Sequence, residues 1–325
     1  MPSLKEIKGR IASVNSTRKI TSAMKMVASS KLHHAQVMIE NMLPYENMLE
    51  HILKTFLASE ADAKTVFSEE RPVKRIALIV FSSNSSLCGG FNANVTKLMM
   101  QAMKEYEHLG KENIVIYPIG RKVADKATKL GYPVAGEFSD LADKPNVQQC
   151  IEIAMELGRK FLHGELDRVE MFYHHFKSAG SQILTRKTFL PIDITDELER
   201  DKERDLSLNI VTKESQEYLK RREQEMQQQH DQQKEQVKPL NDNFIVEPDM
   251  DTVLGLLLPK LAHLMLYTAL LDSNASEHAA RMVAMQTATD NADELLRELN
   301  LQYNKSRQQA ITNELLDIVG GSINN

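Results

Sequence analysis

Two stretches of this 325-residue chain, residues 11–43 and 260–319, contain neither glycine nor proline. Apolar side chains recur through both at every third or fourth position. Leu4, Ile7, Ile11 and Val14 open the first with a 3,4,3 spacing, which drifts to Ile20, Met24 and Val27 and later to Met38 and Met42. Met282, Met285, Thr289, Ala292, Leu296, Leu299 and Tyr303 carry the second, continued by Ile311, Leu315 and Ile318. This period belongs to an amphipathic helix, and the drift is what 3.6 rather than 3.5 residues per turn produces. The first helix is expected to reach Leu43 and to resume after Pro44 toward Phe56, and the second to run from Pro259 to Gly320. At about 1.5 Å per residue these are rods of about 75 and about 90 Å. Neither stripe is wide enough to bury its helix all round. Two narrow stripes bury each other best as an antiparallel coiled coil, with the chain ends on one side and the middle on the other.

The composition agrees. There are 13 glycines and 10 prolines, about 7% together where average usage gives about 12%. Aromatics make up 6%, tryptophan is missing and methionine reaches 16, so an all-β fold is disfavoured and long helices are favoured. A net charge of −5 predicts no general affinity for nucleic acid. The first forty residues run the other way: Lys5, Lys8, Arg10, Arg18, Lys19, Lys25 and Lys31 stand against Glu6 and Glu40. No aromatic residues interleave these basic ones, so an acidic protein surface is the favoured partner over nucleic acid or lipid. Cys88 and Cys150 are too few for a disulfide framework and have no metal-ligand spacing. Residues 253–271 are the most apolar, but Pro259, Lys260 and two histidines interrupt them. A half-buried helix is the expectation there, in preference to a membrane span.

The middle changes period. Residues 75–83, 113–120 and 168–177 are short apolar runs that read as buried strands, and residues 182–190 alternate like an antiparallel edge strand. Helical patterns at 92–109, 121–130 and 147–162 lie between them, and strand–helix alternation predicts a Rossmann-like α/β domain. The expected fold class is therefore α/β with long helices, an antiparallel coiled coil of the two ends plus this central domain. The boundaries read as 1–60 for the N-terminal coiled-coil helix, 72–192 for the α/β domain and 244–325 for the C-terminal helix. Residues 193–243 form a charged, glutamine-rich insertion, a solvated excursion with few large apolar residues.

Chemistry-bearing motifs are few. Residues 82–94, SSNSSLCGGFNAN, follow a strand and open a helix, where phosphate loops sit, yet they match neither common phosphate-loop pattern. A tight strand-to-helix turn explains Gly89 and Gly90 equally well, and Cys88 reads as a small buried residue in preference to a nucleophile. The doublets His33-His34 and His174-His175 point to opposite sides of their elements, so solvated or capping histidines are favoured over metal ligands. Around residues 273–291 the second stripe offers mainly Ala, Met and Thr. A close small-residue helix contact would explain that, as would a shaft whose surface meets another protein without sticking to it.

Particular strings now matter. LKEIKGRIASVNSTRKITSAMKMVASSKL from Leu4 resembles the N-terminal helix of the gamma subunit of F-type ATP synthase. SEHAARMVAMQTATDNADELLRELNLQYNKSRQQAITNELLDIVGG from Ser276 is similar to that subunit's C-terminal helix, and SLCGGFNAN and the EPD at Glu247 also match. The resemblance spans nearly the whole chain. It implies a central-stalk rotor of a proton-translocating synthase, itself non-catalytic and free of cofactor or metal, present at one copy per complex. The implied partners are the alpha and beta subunits of the catalytic ring, the epsilon subunit and the membrane c ring. By position, Met24, Lys25, Met26, Arg281, Gln308, Thr312 and Glu314 correspond to beta-subunit contacts, and Phe244, Val246 and Glu247 to the c-ring contact. The family usually has tyrosines where this chain has Phe244 and Val246. It commonly has Asp and Arg-Gly before LCGG where this chain has Asn84-Ser85-Ser86, and a shorter segment where this chain inserts residues 199–238. With the match beginning at residue 4, the resemblance implies a bacterial or mature organellar chain, peripheral on the cytoplasmic side of the cell inner membrane. The reading from another class is an α/β small-molecule or nucleotide-binding enzyme that uses residues 82–94, with helical arms for oligomerisation.

Overall fold

A computed structural model of the chain describes residues 3–59, 67, 69–192, 247 and 249–323. Helix α1, Leu4–Ser59, is 56 residues long. It opens on an N-cap: the Ser3 hydroxyl accepts the N–H of Glu6 at 3.2 Å, satisfying one of the orphan donors of the first turn. The last helix, Met250–Ile323, runs for 74 residues and is labelled α6 below. Its N-cap is the Asp of the EPD string, since Asp249 accepts the Thr252 N–H at 2.8 Å and the Thr252 hydroxyl at 2.9 Å. The two helices are antiparallel neighbours. Arg18 pairs with Asp293 at 3.0 Å, and the Thr21 and Thr289 hydroxyls meet at 2.8 Å.

Pro44 lies inside α1, where a break was expected, and Pro259 lies inside α6. An interior proline removes one backbone hydrogen bond and crowds the preceding turn, at about 3 kcal/mol. Burial on either side outweighs that. Ile39, Leu49 and Leu53 flank Pro44, Leu254, Leu258 and Leu261 flank Pro259, and all six belong to one apolar core. Each of these large side chains contributes roughly 1.5–3 kcal/mol when buried.

Between the long helices lie β1 (Ile76–Phe81), α2 (Phe91–Glu105), β2 (Ile114–Ile119), α3 (Arg121–Leu130), α4 (Ser139–Asp143), α5 (Val147–Leu162), β3 (Arg168–Ser178) and β4 (Ser181–Leu190). The sheet order is β2-β1-β3-β4, with β1 parallel to both neighbours and β4 antiparallel to β3. Strand alternation divides the core. Ile76, Leu78 and Val80 pack with Val95 and Met99 of α2 and Val123 and Ala127 of α3. Ala77, Ile79 and Phe81 face Leu157 and Phe161 of α5 and Leu266 and Leu270 of α6. Helix α6 is therefore shared: it forms the coiled coil with α1 and one face of the sheet domain. The apolar stretch expected to be half-buried is so: Leu256 is 65% exposed, while Leu264–Tyr267 and Ala269–Leu271 are all buried.

Candidate functional site

In a doubly wound sheet a ligand enters at the carboxyl ends of the strands. Here that crevice is filled by α6. Phe81 at the end of β1, Ser82 after it and Ile119 at the end of β2 meet Leu270, Ser273, Asn274 and Glu277, leaving a cavity of about 10 Å³, room for about one water. The amides that would cradle a phosphate are also engaged internally. At the start of α3, Val123 donates to the Ser82 hydroxyl at 3.1 Å and Arg121 to the Asn84 side chain at 2.9 Å. Asn84 in turn donates to the Ser139 carbonyl at 2.7 Å and to Asp143 at 2.8 Å. The Gly-rich loop is a structural turn. The Asn92 side chain accepts from Ser83 N at 3.0 Å and donates to the Ser83 hydroxyl at 2.7 Å and the Cys88 sulfur at 3.1 Å. Cys88 is buried as expected, and the loop holds exposed Leu87 at φ 69°, a left-handed conformation that surrounding structure must impose.

Next to this crevice, α6 carries a buried stretch that is polar but for Ala275: Asp272, Ser273, Asn274, Ser276, Glu277 and His278. Buried polar groups need partners, and three of these six, Asp272, Asn274 and Ser276, find them across the junction. His175 Nδ1 lies 2.7 Å from the Asp272 carboxylate, Ser276 donates to the His174 carbonyl at 3.1 Å, and Asn274 donates to the Ala142 carbonyl at 2.8 Å. Arg281 pairs with Glu277 at 2.6 Å and donates to the Ser85 hydroxyl at 2.8 Å. Burial raises the Glu277 carboxyl above its usual range, with Arg281 opposing it. His278 is driven down to about 4 by burial, with the Lys31 and Arg281 cations adding to the shift. His174 falls to about 4 through burial alone, its ring stacked 4.4 Å from Phe91. The expectation of solvated or capping histidines at 174 and 175 is thus corrected: the first is core and the second lies within hydrogen-bond distance of Asp272. The sequence signal was available in the DSNASEH string, seven helical residues with no large apolar side chain.

The residues matched to beta-subunit contacts divide into two levels along the shaft. The Thr21–Thr289 register sets residue 29 opposite Arg281, so Met24, Lys25, Met26 and Arg281 fall within about 8 Å along the axis. Met24 and Met26 are 37% and 69% exposed. Arg281 is largely covered, its side chain only 13% exposed. Gln308, Thr312 and Glu314 lie about 40–50 Å further along α6, on an exposed stretch beyond the start of α1. There the Thr312 hydroxyl donates to the Gln308 carbonyl at 2.9 Å, and Leu315 and Leu316 stand exposed. Glu247 is exposed, and Phe244 and Val246 lie outside the described residues. Among the described residues, no cluster of three or more His, Cys, Asp or Glu side chains is placed to hold a metal ion.

A long two-helix shaft bearing a sheet domain whose ligand crevice is plugged by the shaft is a mechanical element in its architecture. The ATP synthase family profile matches residues 3–323. The ATP synthase gamma chain of Phocaeicola vulgatus is 52% identical over 323 residues, covering 99% of this chain and 100% of that one. The gamma chain of Bacteroides thetaiotaomicron is 49% identical over 326 residues, again at 99% and 100% coverage. This chain belongs to the ATP synthase family, among its gamma chains. The fold is similar to a chain from the central stalk and c ring of Tetrahymena thermophila mitochondrial ATP synthase, with a TM-score of 0.53, 21% identity, and 83% and 99% of the two chains covered. It is also similar to a rotor chain of Euglena gracilis mitochondrial ATP synthase, at 0.55 and 20%, with 95% and 98% covered.

Proposed function

We propose that the chain is the rotating central shaft of an ATP synthase, carrying torque between a membrane c ring and the catalytic beta subunits without catalysing the reaction itself. The observation that carries this reading is the shape of α6: one helix that is embedded in the sheet domain, pairs with α1 and then continues alone. A ring of alternating alpha and beta subunits would enclose the lone end, with Gln308, Thr312 and Glu314 against its inner surface. Met24, Lys25, Met26 and Arg281 would meet the beta subunits lower down, the exposed methionines giving adaptable apolar contact and Lys25 a charge for an acidic loop. The sheet domain would sit beside the epsilon subunit, and Phe244, Val246 and Glu247 would touch the c ring. The complex would lie on the cytoplasmic side of the inner membrane, with this chain peripheral.

Subunit counting in the purified native complex tests the reading, which expects one copy of this chain with three alpha and three beta subunits. Calorimetric titration of the isolated chain with ATP and ADP tests the rival enzyme. Tight stoichiometric nucleotide binding would contradict a shaft whose crevice α6 fills.

A further inference from the structure

The apolar part of the junction holds α6 against the sheet through close packing, and hydrophobic contact is itself non-directional. Hydrogen bonds have preferred angles and so add resistance to turning of the helix. Their placement around α6 is specific. At 3.6 residues per turn, Asp272 and Ser276 lie about 40° apart on one side of the helix. Both reach β3, through His175 and the His174 carbonyl. Asn274 and Arg281 lie about 20° apart on the opposite side, roughly 160–200° round from Asp272. These two reach the end of α4, through the Ala142 carbonyl, and the β1–α2 loop, through Ser85. The helix is gripped from two opposed sides within three turns.

We propose that these opposed polar contacts form a torsional clamp that makes the shaft and the sheet domain turn as one body. The inference rests on the rotor reading and assigns Asp272, Asn274 and Ser276 as positioning residues for it. A twist applied to the sheet domain loads the β3 contacts and the α4 and loop contacts as a couple. Removing either side leaves the apolar core in place and the junction torsionally softer. This also explains why a stretch so deep in the molecule is polar: Leu or Ala at these positions would pack, but without directional bonds to the sheet domain.

The test uses this chain in complex with its alpha and beta subunits. A bead is attached to the sheet domain through Lys129→Cys on the outer end of α3, and the motor is stalled with a non-hydrolysable ATP analogue. Angular fluctuation of the bead measures torsional stiffness directly. Asp272→Asn/Ser276→Ala and, separately, Asn274→Ala are expected to raise the angular variance about twofold while ATP hydrolysis stays within about twofold of wild type, since only directional bonds are lost. Unchanged variance in both variants, with normal hydrolysis, overturns the clamp. So does loss of the chain from the complex in both variants with wild-type variance in the molecules that remain, because the polar contacts would then serve folding alone. A wild-type bead that never steps with ATP overturns the rotor reading itself, a result distinct from either.

Discussion

Glu170 and Asp293 are both carboxylates in ion pairs, and their surroundings give them different weights. Glu170 is almost completely buried in β3. It takes Arg186 Nε at 2.8 Å and Arg186 Nη2 at 3.2 Å, together with the Tyr106 hydroxyl at 2.7 Å. Burial alone would lower the Arg186 pKa, but its bonds to Glu170 and Glu105 raise it above the ordinary value. Glu170→Ala removes the buried acceptor of Arg186 and of the Tyr106 hydroxyl, with Glu105 still paired to the guanidinium, and should cost about 1–3 kcal/mol. Asp293→Ala, at a pair whose two side chains are 40% and 43% exposed, should cost under about 1 kcal/mol. Urea midpoints of the two variants measure the contrast. The buried histidines set an acid limit. His174 and His278 have folded-state pKa values of about 4 against 6.5 for a free imidazole. The unfolded chain therefore binds more protons between those values. Their contribution to stability is complete above pH 6.5 and is lost as pH falls toward 4, at about 1.4 kcal/mol per unit for each histidine. His174→Gln and His278→Gln should each flatten the stability–pH curve in that window relative to wild type. A curve of unchanged slope would show that the imidazoles take up protons while folded.

Among the elements, agreement with the sequence follows amphipathicity. α3 and α5 begin and end at the expected residues because each has a clear apolar face and a stop: Gly131 at φ 74° after α3, and Asn146 capping α5 through the N–H groups of Gln148 and Gln149. α2 ends at Glu105, short of the expected 109, because residues 107–109 tighten into a 3-10 turn before Gly110 at φ 85°. The long helices overrun Pro44 and Pro259 because local breaking signals are outweighed by burial elsewhere in the molecule. Two glycines test the backbone side of this account. Gly255 sits inside α6 with open space where a Cβ would go, so Gly255→Ala should stabilise by about 0.5–1 kcal/mol. Gly120, at φ 111°, would place a Cβ 2.1 Å from the Ser82 carbonyl oxygen. Gly120→Ala should therefore lower the melting temperature sharply, by pushing apart the turn that brings Ser82 to the start of α3.

For the assembled machine, the lone end of α6 and the insertion make opposite predictions. Truncating residues 312–325 removes only the tip beyond the start of α1, so coupling between ion flow and ATP synthesis should weaken more than assembly does. Normal ATP-driven ion pumping in membrane vesicles would count against that. Deleting residues 199–238, which lie outside the described residues, should leave the chain in the purified complex; its loss would make the insertion structural.

The long helices, the antiparallel pairing, the four strands and the family strings were legible along the chain because they rest on local periodicity and direct residue matches. The merging of the shaft with the sheet domain was not legible. Nothing in a 3.6-residue stripe says that a third face of α6 will lie against the sheet, fill its ligand crevice and bury seven successive helical residues. That outcome depends on surfaces from β1, β2, β3, α4 and α1 meeting at one place. Hydrophobic burial brought them together without regard to direction, and Asp272, Asn274 and Ser276, caught there, found their partners across the junction.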